Sequence, residues 1–165
     1  MQGILSRFRC WRHGKGFGIH SPFAYALITE VLRQRHPYYG YADISPDQRI
    51  RLLFRLVTHF RPEGVLIVSS QPRLLQGAVQ RASSRVRIGA SDADFIVADA
   101  ADCTPDALAA LLHPGVKMLV LNALPGTSAL LSSRMPCGML FDNRRGTLFA
   151  AVLPHLPRQT FEVRF

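Results

Sequence analysis

The spacing of apolar residues changes character along the chain. Up to residue 61 it follows a helical period. Ser21-Pro22 opens a first helix, since serine caps and proline suits the first turn. Phe23, Ala26, Leu27, Glu30 and Val31 continue at helical spacing, and the pattern predicts an end near Arg35, ahead of Pro37. Ser45-Pro46 marks the start of a second helix, with Ile50, Leu53, Phe54, Val57 and Phe60 on one apolar stripe and Arg49, Arg51, Arg55 and Arg61 largely off it. Between them lies an aromatic loop, Tyr38-Tyr39-Gly40-Tyr41. Before them lies an arm in which Gly14, Gly16 and Gly18 alternate.

From residue 62 onward, short apolar runs alternate with helical segments. Val65 to Val68 is wholly apolar and predicts a strand buried on both faces. A helix over Leu74 to Arg81, a weak strand Val86-Arg87-Ile88, and a buried strand Asp94 to Asp99 come next. Thr104-Pro105-Asp106 starts a helix to about Leu112, Lys117 to Asn122 forms another buried strand, and Gly126 to Arg134 a short helix. Met139 to Asp142 and Thr147 to Leu153 read as strands joined by the turn Asn143-Arg144-Arg145-Gly146, with a last strand at Phe161 to Phe165. Strands alternating with helices predict an α/β fold: a mostly parallel sheet wound on both faces, with a C-terminal hairpin adding antiparallel strands. The expected organisation is one domain, with residues 1–61 as an arm and helices packed on an α/β core of residues 62–165.

Composition agrees with a folded core: 48% of the 165 residues are hydrophobic and 19% charged. The mean hydropathy is +0.10, but no run approaches the ~20 apolar residues of a membrane helix. Arg7, Arg9, Arg12 and His13 interrupt the first residues, and no apolar stretch typical of a signal peptide comes after them. The expectation is a soluble cytoplasmic protein with no membrane partner. Cys10, Cys103 and Cys137 are scattered, which argues against structural zinc or a disulfide framework and predicts three reduced thiols and no metal.

Charge is unevenly divided. Residues 1–87 hold thirteen Arg and one Lys against four acids (+10), and residues 88–165 hold five Arg and one Lys against seven acids (−1). Such asymmetry points to an anionic partner. The arginines are dispersed, with no continuous basic run and no recognition motif. Any nucleic-acid binding is therefore expected to be nonspecific and salt-sensitive.

In open α/β sheets, ligands bind outside the carboxyl ends of the strands. The residues there are Ser69-Ser70-Gln71 after the first strand, Asp99 after the third and Asn122 after the fourth. A nucleotide-type ligand usually needs a glycine turn after the first strand. Here the turn is Ser69-Ser70-Gln71-Pro72-Arg73, with a proline and no glycine. The second strand ends Ile88-Gly89-Ala90-Ser91, without an acid to hold ribose; Asp92 and Asp94 are nearby but poorly placed. No lysine comes after Ser69-Ser70 as in a P-loop, and no Gly-x-Ser-x-Gly elbow of a Ser/His/Asp hydrolase exists. His13 and His20 are candidates for anion binding or acid–base work, or for bonding backbone within the arm. Tyr38, Tyr39 and Tyr41 are candidates for stacking on a base, or for packing the arm onto the sheet edge. Asp99 suits a ligand amine or a metal, or a cap on the next turn.

The arm His13-Gly14-Lys15-Gly16-Phe17-Gly18-Ile19-His20-Ser21-Pro22-Phe23, with Tyr38-Tyr39-Gly40-Tyr41 after it, resembles a methyltransferase-like group of Bacteroidetes-type bacteria within the class I S-adenosylmethionine-dependent methyltransferases. That group carries His-Gly-x-Gly-x-His-Ser-Pro-Phe, and the segment here is longer between its two histidines. Met139 to Phe165 resembles its terminal hairpin and last strand. The resemblance implies a Rossmann-like methyltransferase sheet and an S-adenosylmethionine site drawing on Ser69, Ser70, Gln71, Asp99 and Asn122, with His13, His20, Tyr38, Tyr39 and Tyr41 as arm or substrate contacts. It assigns no catalytic residue and no methyl acceptor. The family's glycine loop is replaced by Ser69 to Arg73. Its segment before the hairpin, which often carries Asp-Asp or Asp-x-His, is shortened to Asn122-Ala-Leu-Pro-Gly126. The expectation is a methyltransferase-like protein with an eroded donor site, binding S-adenosylmethionine weakly or not at all, with a small molecule or a macromolecule as partner. The alternatives are an active methyltransferase with a noncanonical loop and a basic nucleic-acid-associated module.

Overall fold

A computed structural model describes residues 19–165. The arm over residues 1–18, with Cys10, His13 and its alternating glycines, lies outside the described residues. Ser21 caps the first helix by accepting the Ala24 N–H at 3.3 Å. This helix, α1 (Pro22–Ala26), runs directly into a π-helical stretch, Leu27–Leu32. There the Arg33 N–H reaches five residues back to the Ile28 carbonyl at 3.1 Å. The wider turn brings the helix to an end before Arg35, close to the end that the spacing predicts. The aromatic loop is a 3-10 turn, Tyr39–Asp43.

Helix α2 spans Gln48–Phe60. Ser45-Pro46 does not open it. The Ser45 hydroxyl accepts the Asp47 N–H at 3.4 Å, and Asp47 is the cap, taking the Arg49 N–H at 2.7 Å. An aspartate has the acceptor geometry and the negative charge that a helix N-terminus favours. Arg61 at φ 47 ends the helix in left-handed backbone. The predicted stripe is apolar and inward, but Arg55, expected off it and in water, is only 9% exposed. Its Nε donates to the Val31 carbonyl at 2.8 Å, one Nη to the Leu32 carbonyl at 3.2 Å and the other to the Tyr41 hydroxyl at 3.0 Å. The last carbonyls of a helix lack partners within it. A guanidinium, with five donors on a planar fork, satisfies two of them while its stem packs.

The remaining elements are β1 (Gly64–Val68), α3 (Pro72–Ala82), β2 (Arg87–Ile88), β3 (Phe95–Asp99), α4 (Pro105–Ala110), β4 (Lys117–Leu121), α5 (Thr127–Arg134), β5 (Met139–Asp142), β6 (Leu148–Ala151) and β7 (Gln159–Glu162). They build one seven-stranded sheet of order β2-β1-β3-β4-β6-β5-β7. β6 runs antiparallel to both its neighbours, and every other pairing is parallel. The hairpin predicted from Asn143 to Gly146 is present, but its second strand lies between β4 and β5. The last strand forms at Gln159–Glu162, two residues earlier than its apolar letters suggest, because Leu140 pairs with Thr160 and Phe141 with Phe161.

Side chains alternate across the sheet. Phe95, Val97, Leu119, Phe141 and Phe149 face α1, α2 and α3. Ile96, Ala98, Met118, Val120, Leu140 and Ala150 face α4 and α5. Phe149 is fully buried and stacks near Phe60 at 5.6 Å, Phe141 at 6.3 Å and Phe95 at 6.4 Å between ring centres.

The expectation that Val65 to Val68 is buried throughout needs correction. Gly64 and Val65 are buried, while Leu66, Ile67 and Val68 are half-buried. β2 is only two residues long and pairs with Gly64 and Val65 alone. Residues 89–94 then cross directly beneath β1 to β3, with no helix in the crossover. The passage is close: a Cβ on Gly64 would lie 3.1 Å from the Ala90 Cβ and 3.2 Å from the Ala93 Cα. Asp94 fixes the crossing by accepting the Glu63 and Gly64 N–H groups at 3.1 and 3.2 Å and the Lys117 ammonium at 3.2 Å. The carboxyl half of β1 is left without a neighbour on that side. Among the described residues, no helix is long and apolar enough to cross a membrane.

Replacing Phe149 with Ala is expected to cost about 3–5 kcal/mol in urea unfolding, the range for removing a fully buried aromatic. Ile67→Ala is expected to cost less than about 2 kcal/mol, below the usual range for a core isoleucine. Equal losses would show that the carboxyl half of β1 is covered.

Candidate functional site

The chain reverses direction in the sheet order between β1 and β3, since β2 lies on one side of β1 and β3 on the other. This is the position at which open α/β sheets hold ligands. It collects Ser69 to Gln71 from the end of β1, Asp99 from the end of β3 and Asn122 from the end of β4.

Their hydrogen bonds run largely to one another. The Ser70 N–H donates to Asp102 Oδ2 at 2.7 Å, and the Gln71 N–H donates to the Ser69 hydroxyl at 3.2 Å. Pro72, the next residue, has no N–H and starts α3. Asp99 accepts the Ala101 N–H at 3.1 Å through Oδ1 and the Asn122 amide at 2.8 Å through Oδ2. Asn122 stands in left-handed backbone, φ 50, a conformation asparagine tolerates better than most residues. Its amide oxygen accepts Arg49 Nη1 at 2.6 Å. Arg49 in turn donates to Asp47 at 2.9 Å through Nη2 and 3.3 Å through Nε. A continuous chain of bonds therefore links the start of α2 to the ends of β4 and β3.

Arg49 and Asp102 do not stand out in the sequence. Asp102 lies three residues after Asp99 on a 3-10 turn, Ala100–Asp102, so local spacing is a usable signal for it. Arg49 and Asn122 are 73 residues apart, and no pattern in the sequence links them.

Electrostatics reflect this geometry. The Asp47 carboxyl is held below the usual carboxylate range, chiefly by the hydrogen bond from the Arg49 side chain. Burial pushes the Cys103 thiol up, reinforced by the charges of Asp102 and Asp99, so it remains a protonated thiol at neutral pH. Among the described residues, no three His, Cys, Asp or Glu gather closely enough to hold a metal ion.

The arm and loop candidates lie elsewhere. His20 is exposed. Tyr38 and Tyr41 pack on the helical layer. They lie against each other at 5.3 Å and against Phe54 of α2 at 5.7 and 5.5 Å between ring centres. Tyr39 is fully exposed. Gly40 permits this packing, because a Cβ there would come within 2.6 Å of the Phe54 ring.

No protein-family model matches the chain, and no curated protein matches it in sequence.

Asp47→Ala is expected to destabilise the fold by about 1 kcal/mol through loss of the cap. A carboxyl whose pKa is lowered on folding contributes stability that is complete above the unfolded value, about 3.9, and is lost as pH falls through the folded value. Between about pH 5 and pH 3 the parent is therefore expected to lose more stability than Asp47→Asn, which caps without titrating. Urea midpoints at each pH check this, and parallel pH profiles would contradict it.

Proposed function

We propose that the chain is a methyltransferase-like protein whose S-adenosylmethionine site has eroded, so that it binds the donor weakly or serves as a non-catalytic binding protein. The mostly parallel sheet, its reversal between β1 and β3 and the C-terminal hairpin accord with the resemblance drawn from residues 13–41 and 139–165. The observation that carries the erosion is the occupancy of the turn after β1. The Ser70 and Gln71 amides, which a donor's methionine part would approach, are taken by Asp102 and Ser69.

The other half of the site is short as well. β2 ends at Ile88, paired with Val65, while β1 continues to Val68. At ~3.3 Å per residue, β2 stops about 10 Å below the carboxyl edge. A group placed just after β2 therefore falls short of a ribose held at that edge. A charge-assisted hydrogen bond contributes ~1.5–3 kcal/mol, and losing ~3 kcal/mol weakens binding about a hundredfold.

Calorimetric titration with S-adenosylmethionine and S-adenosylhomocysteine is expected to give a dissociation constant of ~0.1 mM or weaker. Asp102→Ala, which frees the Ser70 amide, is expected to tighten binding by less than about tenfold, because the ribose side stays open. Low-micromolar binding by the parent would overturn the proposal and favour a working methyltransferase with a noncanonical loop.

A further inference from the structure

A cavity of about 660 Å³ opens between the end of the π-helical stretch, the first half of α2, the β5–β6 turn and the residues after β7. Arg33, Arg35, Arg51, Arg55, Arg145 and Arg164 line it, with no Asp or Glu among the described lining residues. It shares no residue with the crevice at Ser69 to Gln71, Asp99 and Asn122.

Among the described residues outside this wall, five arginines are matched to acids, while Arg61, Arg73, Arg85 and Arg158 stand singly and exposed. Arg49 pairs with Asp47, Arg81 with Asp43, Arg87 with Asp92, Arg134 with Asp106, and Arg144 with Asp142 and Glu162. Among the described residues, Arg35, Arg51, Arg55, Arg145 and Arg164 form no such pair. Arg55 is buried with its donors on two carbonyls and a hydroxyl, all uncharged, so its positive charge has no counter-ion. Arg51 lies over the Tyr41 ring, its guanidinium carbon 5.0 Å from the ring centre, and its Nε is buried without a hydrogen-bond acceptor. Like charges gathered in a concave, partly dry wall repel one another, and a buried donor without an acceptor is costly. A bound anion relieves both. Guanidinium is the side chain best shaped for this, because it meets phosphate oxygens through two parallel N–H bonds.

We propose that this cavity is a binding site for a small ligand carrying two or more phosphate groups. The volume falls within the ~300–1,000 Å³ typical of small-molecule sites. One monoanion leaves most of the wall's charge uncompensated. Arg51 and Arg55 form the floor, and the exposed Arg35, Arg145 and Arg164 stand at the rim. A nucleic-acid strand would instead call for an open track of basic and stacking side chains. The only fully exposed tyrosine among the described residues, Tyr39, is not in this wall.

The test is calorimetry on the full chain with sodium pyrophosphate and with orthophosphate, at low and at high salt. Pyrophosphate is expected to bind one per chain, about tenfold or more tighter than orthophosphate, with affinity falling as salt rises. Arg51→Gln and Arg145→Gln are each expected to weaken pyrophosphate binding about tenfold. Arg145 is exposed and its side chain makes no bond to the described residues, so that variant reports on binding even if Arg51→Gln fails to fold. Arg158→Gln, an exposed arginine outside the wall, is expected to bind as the parent does. Absence of pyrophosphate binding overturns the proposal. So does an equal loss in Arg145→Gln and Arg158→Gln, or a single-stranded oligonucleotide that binds more tightly than pyrophosphate and is weakened equally by both variants; these results indicate a diffuse basic surface. A failed S-adenosylmethionine titration leaves this test untouched, because the two sites have no residue in common.

Discussion

A sheet that is apolar on both faces has to be covered on both, and the placement of every helix answers that requirement. β3 and β4 carry the demand most clearly. Phe95, Val97 and Leu119 look to one side and Ile96, Ala98, Met118 and Val120 to the other, all of them buried. Strands with two apolar faces are stable only inside a layered fold, which is why parallel sheets come with helices on both sides. The longer helices α2 and α3, with α1 and the π-helical stretch after it, cover the first face, and the short α4 and α5 the second. The crossover from β2 to β3 contains no helix, and there the cover fails: Leu66, Ile67 and Val68 are only half-buried.

The same shortened crossover shapes the chemistry of the carboxyl edge. A parallel connection normally needs a dozen or more residues. Residues 89–94 suffice here because β2 is a two-residue strand that leaves the sheet near the start of β1. The edge is thereby narrowed, and its polar groups have turned to one another. Asp102 holds Ser70, Ser69 holds Gln71, and Asp99, Asn122, Arg49 and Asp47 form a linked series.

Arginine has two roles in the first half of the chain. Arg49 and Arg81 sit against aspartates and are neutralised locally. Arg55 is spent inside, where it closes the end of the π-helical stretch and ties it to α2 and to Tyr41. With acids outnumbered in residues 1–87, some guanidinium groups have no carboxylate to meet. The fold leaves Arg61, Arg73 and Arg85 exposed on the surface and gathers Arg35, Arg51 and Arg55 around one cavity.

Much of the architecture was legible in the sequence because it rests on local periodicity. Ser21-Pro22 and Thr104-Pro105 start helices as their capping chemistry requires, and the runs at residues 65–68, 94–99 and 117–122 are strands because they are short, apolar and bounded by turns. Residues at the carboxyl edge were identifiable for the same reason: Ser69, Asp99 and Asn122 stand at the carboxyl ends of those runs. Tertiary structure alone decided which of two acceptors, Ser45 or Asp47, caps α2, and that β6 inserts between β4 and β5. It also decided that Arg55 is internal, although its position off the apolar stripe marks it as outward. The strand order and the burial of Arg55 depend on partners far along the chain, such as the Val31 carbonyl for Arg55, as does the link from Arg49 to Asn122. A period in the sequence records which face of an element is apolar, but the energy of a buried polar side chain is set by the partner that tertiary packing brings to it.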